Sequence, residues 1–168
     1  MRPPASFPRD RRRFFRTLGG YGPVQRPPWT GDDLTDLCTR CDACIDACPE
    51  KVLHRGGGGF PEIRFDQEGC TLCGACVDSC KADVFDIRRA AFFWRAHVQS
   101  SCLALARIHC QSCQDACDWG AIRFPPEIGR PPRPRIDSDA CTGCGACQAQ
   151  CPNDAILMAT DQEAFDAV

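Results

Sequence analysis

Apolar positions along this chain fall in short bursts, and four of the bursts repeat. Val52-Leu53, Val84-Phe85, Ala121-Ile122 and Ala155-Ile156 each open four residues after a cysteine, namely Cys48, Cys80, Cys117 and Cys151. Each pair begins a segment of strand-like composition, residues 52–55, 84–88, 121–124 and 155–159. The first leads through the glycine run 56–59 into a second strand at 61–65. The third leads through the Pro- and Gly-rich stretch 125–132 into a strand at 134–136. These glycines and prolines are turn chemistry, because no G-x-G-x-x-G stands between a strand and a helix. The pattern predicts a plan of cysteine loop, strand, turn, strand, cysteine loop and strand, given twice.

The cysteine loops supply the chemistry. Sixteen cysteines form four quartets: Cys38-Cys41-Cys44-Cys48, Cys70-Cys73-Cys76-Cys80, Cys102-Cys110-Cys113-Cys117 and Cys141-Cys144-Cys147-Cys151. Three of them read C-x2-C-x2-C-x3-C, the bacterial-ferredoxin spacing for cubane iron–sulfur clusters. A disulfide scaffold fits poorly, because thiols three residues apart crowd onto one loop and no apolar N-terminal stretch points to secretion. Zinc fits poorly too, since a third cysteine adds nothing to a C-x2-C knuckle. Four quartets with no cysteine left over imply four [4Fe-4S] clusters. Residues four apart share a helix face, so the third and fourth cysteines of a run can sit on a helical turn wedged between two clusters. In two-cluster ferredoxins the last cysteine of such a run serves the neighbouring cluster. The expected ligand sets are therefore Cys38, Cys41, Cys44 and Cys80; Cys70, Cys73, Cys76 and Cys48; Cys102, Cys110, Cys113 and Cys151; Cys141, Cys144, Cys147 and Cys117. Proline follows the fourth cysteine at Pro49 and Pro152, but Lys81 and Asp118 stand there in the middle quartets. The third run departs from the rule, with Leu103 to His109 between its first two cysteines. Cys102 either ligates from a longer loop or is a buried thiol beside an incomplete cluster, and the count of sixteen favours ligation.

The expected fold is α+β, with two tandem ferredoxin-like units of short strands and short helices at 30–95 and 96–168, preceded by a basic segment at 1–29. Apolar residues make up 43 % of the chain, but the sixteen cysteines are part of that. What remains is thin for two units of ~65 residues, and domains so small usually need staples. Clusters would serve as the staples, coupling metal binding to folding. Residues 90–101 form the expected seam, where Phe92, Phe93 and Trp94 either seal the halves together or dock a partner.

Charge is uneven. Residues 1–29 carry seven Arg and one Asp, whereas the remainder is acidic enough to leave the whole chain at −2. Clusters with −2 each would bring the holo-protein to about −10. No broad basic surface results, which argues against a nucleic-acid partner. No stretch approaches the ~20 apolar residues of a membrane span. His54, His97 and His109 have no ligand spacing among themselves. Neither paired carboxylates nor a nucleophile–base constellation is detectable, so the catalytic set is empty and the chain reads as an electron carrier, not an enzyme.

Arg11-Arg12-Arg13-Phe14-Phe15-Arg16 resembles a twin-arginine export pattern, but Thr17-Leu18-Gly19-Gly20 continues it without an apolar stretch. The segment is read as a solvated tail or as a contact arm for an acidic partner, and the chain as cytoplasmic. From Arg26 to Met158 the sequence resembles the NapF family of ferredoxin-type proteins, accessory to periplasmic nitrate reductase systems. The carrying residues are Arg26-Pro-Pro-Trp29, Cys38-Thr-Arg-Cys-Asp-Ala-Cys44, His54-Arg-Gly-Gly-Gly-Gly-Phe-Pro61, the long-spaced Cys102 to Cys117 run, and Cys141-Thr-Gly-Cys-Gly-Ala-Cys147. The resemblance implies a cytoplasmic four-cluster protein that acts on the catalytic subunit precursor of periplasmic nitrate reductase before its export. The alternatives are a general electron-transfer ferredoxin for another cytoplasmic oxidoreductase, or a subunit of a membrane enzyme. Reduction potentials and the redox donor protein lie beyond the sequence, since both depend on what surrounds each cluster.

Overall fold

The computed structural model describes residues 25–160, so the arginine-rich tail and its twin-arginine pattern lie outside the described residues. Short helices and short strands alternate as the cysteine pattern predicts. In chain order they are α1 (Leu34–Leu37), α2 (Ala43–Asp46), β1 (Leu53–Arg55), a 3-10 turn (Gly57–Gly59), β2 (Pro61–Ile63), α3 (Ala75–Ser79), β3 (Arg95–Val98), α4 (Ser112–Asp115), β4 (Ile122–Arg123), β5 (Arg135–Ile136), α5 (Ala146–Ala149) and β6 (Ile156–Ala159). Helices of four or five residues cannot hold themselves in water, so tertiary contacts must hold these.

The strands form three antiparallel ribbons. β1 pairs with β2, Leu53 opposite Ile63 and Arg55 opposite Pro61. The glycine run closes this hairpin, with Gly56 N donating to Phe60 O at 2.8 Å. β4 pairs with β5 across the proline-rich loop, Ile122 opposite Ile136. β3 pairs with β6, Arg95 opposite Ala159 and Val98 opposite Ile156. This last ribbon joins the segment before the third cysteine run to the segment after the fourth. Its counterpart in the first half is a single bridge, Thr30 opposite Phe85. The strand expected at 84–88 is therefore corrected to one bridging residue. Its partner segment begins Pro27-Pro28, whose missing N–H groups stop the ladder from lengthening. The backbone there is instead clamped at Trp29, which donates to Ala91 O at 3.0 Å and accepts from Asp86 N at 2.9 Å.

One core serves both halves, where the sequence suggested two. Val52, Leu53, Ile63 and Phe65 share it with Phe92, Ala96, Ile122, Ile156 and Met158, and four cysteines, Cys48, Cys76, Cys113 and Cys147, belong to the same cluster. Phe92 is the joint. Its ring meets Phe65 edge-on at 6.4 Å and stacks on Trp94 at 4.8 Å. The Trp94 indole N–H donates to Gly143 O at 2.9 Å, reaching the fourth cysteine loop. Phe93 does not share this role, because strand-like alternation turns it outward, 66 % exposed. Gln25 ties the halves again: its carbonyl accepts from Ile63 N at 3.0 Å and its amide donates to Met158 O at 3.3 Å. Among the described residues no helix is long and apolar enough to cross a membrane.

Candidate metal centres

Three of the four cysteine loops are coils whose backbone turns left-handed at fixed places; the third is not, with Gln111 at φ −135°. In the first loop Arg40 and Asp42 have φ of 59° and 63°; in the second, Leu72 and Gly74 have 57° and 81°; in the fourth, Gly143 and Gly145 have 77° and 81°. Alternating right- and left-handed residues bend the chain into a concavity and aim N–H groups inward, the geometry of a nest for negative charge. Arg40 N accordingly donates to Cys38 Sγ at 3.4 Å; beyond the fourth loop, Ala155 N, after the left-handed Asp154, donates to Cys151 Sγ at 3.1 Å. Asp42 has no glycine's freedom at its position and is held by an ion pair with Arg55. A short helix then starts directly after each loop. Cys44, Cys76, Cys113 and Cys147 lie on α2, α3, α4 and α5, and the fourth cysteine of each run follows at or just beyond the helix end. Helix α2 packs against α3, and α4 against α5.

That pairing crosses the quartets. Cys38, Cys41 and Cys44 line a cavity of about 300 Å³ together with Cys80 of the other run. Cys70, Cys73 and Cys76 line a second cavity together with Cys48, walled by Trp29, Val52 and Leu53. Cys141, Cys144 and Cys147 line a third with Cys117, walled by Trp119, Ile122 and Met158. Cys113 completes the set: burial pushes its thiol up to about 11, and the neighbouring Cys102, Cys110 and Cys151 add to the rise. The seven-residue spacer thus still delivers Cys102 to this group. It coils on itself, with Ala106 N donating to Cys102 O at 3.1 Å and Ile108 N to Leu103 O at 2.9 Å, around a buried Ala104. The Asn153 amide fixes its root by donating to Ser101 O at 2.6 Å.

The electrostatics say what these cavities would hold. Burial, then Cys38 and Cys80, pushes the Cys44 thiol up to about 11. Burial is also first at Cys76 and Cys147, both pushed up to about 12, and at Cys70, pushed up to about 11. Cys41 is the exception: exposed, and lowered chiefly by the Ala43 N–H and the Thr39 hydroxyl. Buried thiols that raise one another resist becoming thiolates unless a cationic core stands between them. None of the sixteen cysteines is paired in a disulfide. Among the described residues no three His, Cys, Asp or Glu side chains converge as one metal ion would require. Four thiols spaced around a volume suit a cubane, which offers one iron to each, and not a single tetrahedral zinc. His54 and His97 are half-buried and His109 is exposed, and none of them lines these cavities.

Several supporting residues carried no signal in the cysteine pattern. Gly69 and Gly145 are two: a Cβ at Gly69 would stand 2.6 Å from the backbone of Ala146, and one at Gly145 would enter the Phe65 ring. Trp119 is a third, half-exposed over the cavity of Cys117. A glycine next to a ligand is visible in sequence, but what approaches it is not.

Comparison with known proteins agrees with this chemistry. A 4Fe-4S dicluster domain matches twice, at residues 37–84 and 106–155. Two dicluster domains and sixteen cysteines fit four [4Fe-4S] clusters. The ferredoxin-type protein NapF of Escherichia coli (strain K12) is 42 % identical over 134 residues, covering 78 % of this chain and 82 % of that protein. NapF of Haemophilus influenzae is 46 % identical over 136 residues, covering 79 % and 77 %. The ferredoxin-type protein NapG of Haemophilus influenzae is more distant, 27 % identical over 164 residues, covering 81 % and 58 %. With its paired dicluster domains and this identity across more than three quarters of its length, the chain belongs to the NapF family of ferredoxin-type proteins.

Proposed function

We propose that this chain is an iron–sulfur accessory protein of the periplasmic nitrate reductase system, working in the cytoplasm. In this reading it docks on the catalytic subunit precursor before export and passes electrons to it. It carries no substrate site of its own. Cys38, Cys41, Cys44 and Cys80 hold one cluster, and Cys70, Cys73, Cys76 and Cys48 the second. Cys102, Cys110, Cys113 and Cys151 hold the third, and Cys141, Cys144, Cys147 and Cys117 the fourth. The two dicluster units span 30–95 and 96–168. A bound cluster supplies a reversible one-electron site. The chain's own residues do the rest. Left-handed turns aim N–H groups at the sulfurs, while Trp29, Leu53, Phe85 and Met158 wall the cavities against water, the two levers that tune potential.

The observation that carries the ligand assignment is the crossing of thiols around separate cavities, each gathering three cysteines of one run and the last of the other. The NapF and NapG relatives support the nitrate reductase connection. Pull-down with the unexported reductase precursor tests the role. Specific retention of the precursor is expected. Retention of an unrelated cytoplasmic oxidoreductase in its place would favour a general ferredoxin. Location is tested by fusing residues 1–30 to a reporter, which should stay inside the cell. Twin-arginine-dependent export of the fusion would contradict that location.

A further inference from the structure

The two halves meet at their cysteine loops. Cys70 N donates to Cys144 O at 2.7 Å, joining a residue of the second run directly to one of the fourth. The contact is built on both sides. Gly69 has no room for a side chain, because a Cβ would stand 2.6 Å from Ala146 N and Cα. Gly143, next to Cys144, lies under Trp94, with 2.8 Å from its Cβ position to Trp94 O. The Trp94 indole donates to the Gly143 carbonyl, and the Gln150 amide donates to Gln67 O at 3.1 Å. Phe65 and Phe92 seal the same face. Among the described residues no hydrogen bond joins the first or third run to the opposite half. The first run instead lines the cavity that it shares with Cys80, with Cys41 exposed.

We propose that the four clusters lie in a single row. The order of their cysteine groups is 38/41/44/80, then 70/73/76/48, then 141/144/147/117, then 102/110/113/151, with the Cys70–Cys144 contact as the junction between halves. The chain order of the runs is thereby not the order of the row: the fourth run is internal and the long-spaced third run is terminal. Within each half the α2–α3 and α4–α5 pairs set the neighbours. Clusters held in these groups would supply one-electron sites in that order, and the seam residues Gly69, Cys70, Gly143 and Cys144 would set the separation of the inner two. A low-potential one-electron donor protein would load one terminal group and an acceptor protein would empty the other. The inference rests on the ligand assignment above, and its test separates the two.

Two double variants decide the order. Cys41→Ala with Cys110→Ala leaves only the two groups at the seam, one from each half. Cys73→Ala with Cys144→Ala leaves only the two terminal groups. Iron analysis of each checks that two clusters of four remain, and Cys41→Ala with Cys80→Ala checks the assignment, because crossed ligands lose one cluster and uncrossed ligands two. Electron paramagnetic resonance of the fully reduced proteins checks the order. The seam pair is expected to give a signal split by spin–spin interaction, and the terminal pair two unsplit signals. A split terminal pair, or an unsplit seam pair at the expected iron content, overturns the row. Gly69→Val in the full-cluster protein is the second readout, should the double variants not fold. It forces the seam apart and should simplify the signal at unchanged iron content. An unchanged split signal in Gly69→Val would count against the junction.

Discussion

Replacing Phe92 by alanine should cost this protein more than any other single aromatic change in the seam. The ring is 2 % exposed and touches Phe65 from one half and Trp94 above the fourth cysteine loop. A buried Phe→Ala change leaves a cavity and costs ~3–5 kcal/mol. The two ring contacts are ~0.5–1.5 kcal/mol each beyond their area. For a chain of this size ~3–4 °C accompanies each kcal/mol, so the thermal midpoint should fall by roughly 10–20 °C. Phe93→Ala is the control. That ring is 66 % exposed, and such a change stays within ~0.5 kcal/mol, or about 2 °C. Both variants would be melted anaerobically with clusters bound, at one scan rate, following visible sulfur-to-iron absorbance and far-ultraviolet circular dichroism together. Similar midpoints for the two variants would refute the idea that Phe92 joins the halves into one core.

Gly145→Ala should destabilise the holo-protein by ~1–3 kcal/mol, because φ is 81° there and the new methyl enters the Phe65 ring; a neutral effect on the melting midpoint would show that the loop can relax. Cluster assembly should improve as pH rises. Folded thiols pushed up to about 11 (Cys44) and about 12 (Cys76, Cys147) must each lose a proton to bind iron, so protons compete with iron until pH passes those values. Reconstitution in weak buffer should therefore release acid, and a yield independent of pH would contradict this. Chelator-treated protein should lose cooperative unfolding, because four core positions are cysteines whose thiols only a cluster can tie together. A sharp melting transition in iron-free protein would count against that coupling.

Much of this architecture was legible in the cysteines. The x3 spacing placed the third cysteine on a helix and the fourth at or just beyond its end, and strands of two to four residues began five residues after the last cysteine of three runs. Strand partners were harder to read. The segment 84–88 has strand composition, but Pro27 and Pro28 deprive its partner of donors, so only Phe85 bridges. Residues 95–98 sat in what composition marked as a seam, yet Ala96 and Val98 alternate and pair with Met158 and Ile156, more than fifty residues away. Nothing local announces a partner at that distance. The same limit hides the junction, since Gly69 looks like any loop glycine until Ala146 is placed against it.

The most direct test of the whole account is the metal itself. Anaerobically purified, fully reconstituted protein should hold about 16 iron and about 16 acid-labile sulfide per chain, four of each for every cysteine group. A saturated preparation stopping at about eight irons, or one holding zinc in stoichiometric amount, would contradict it.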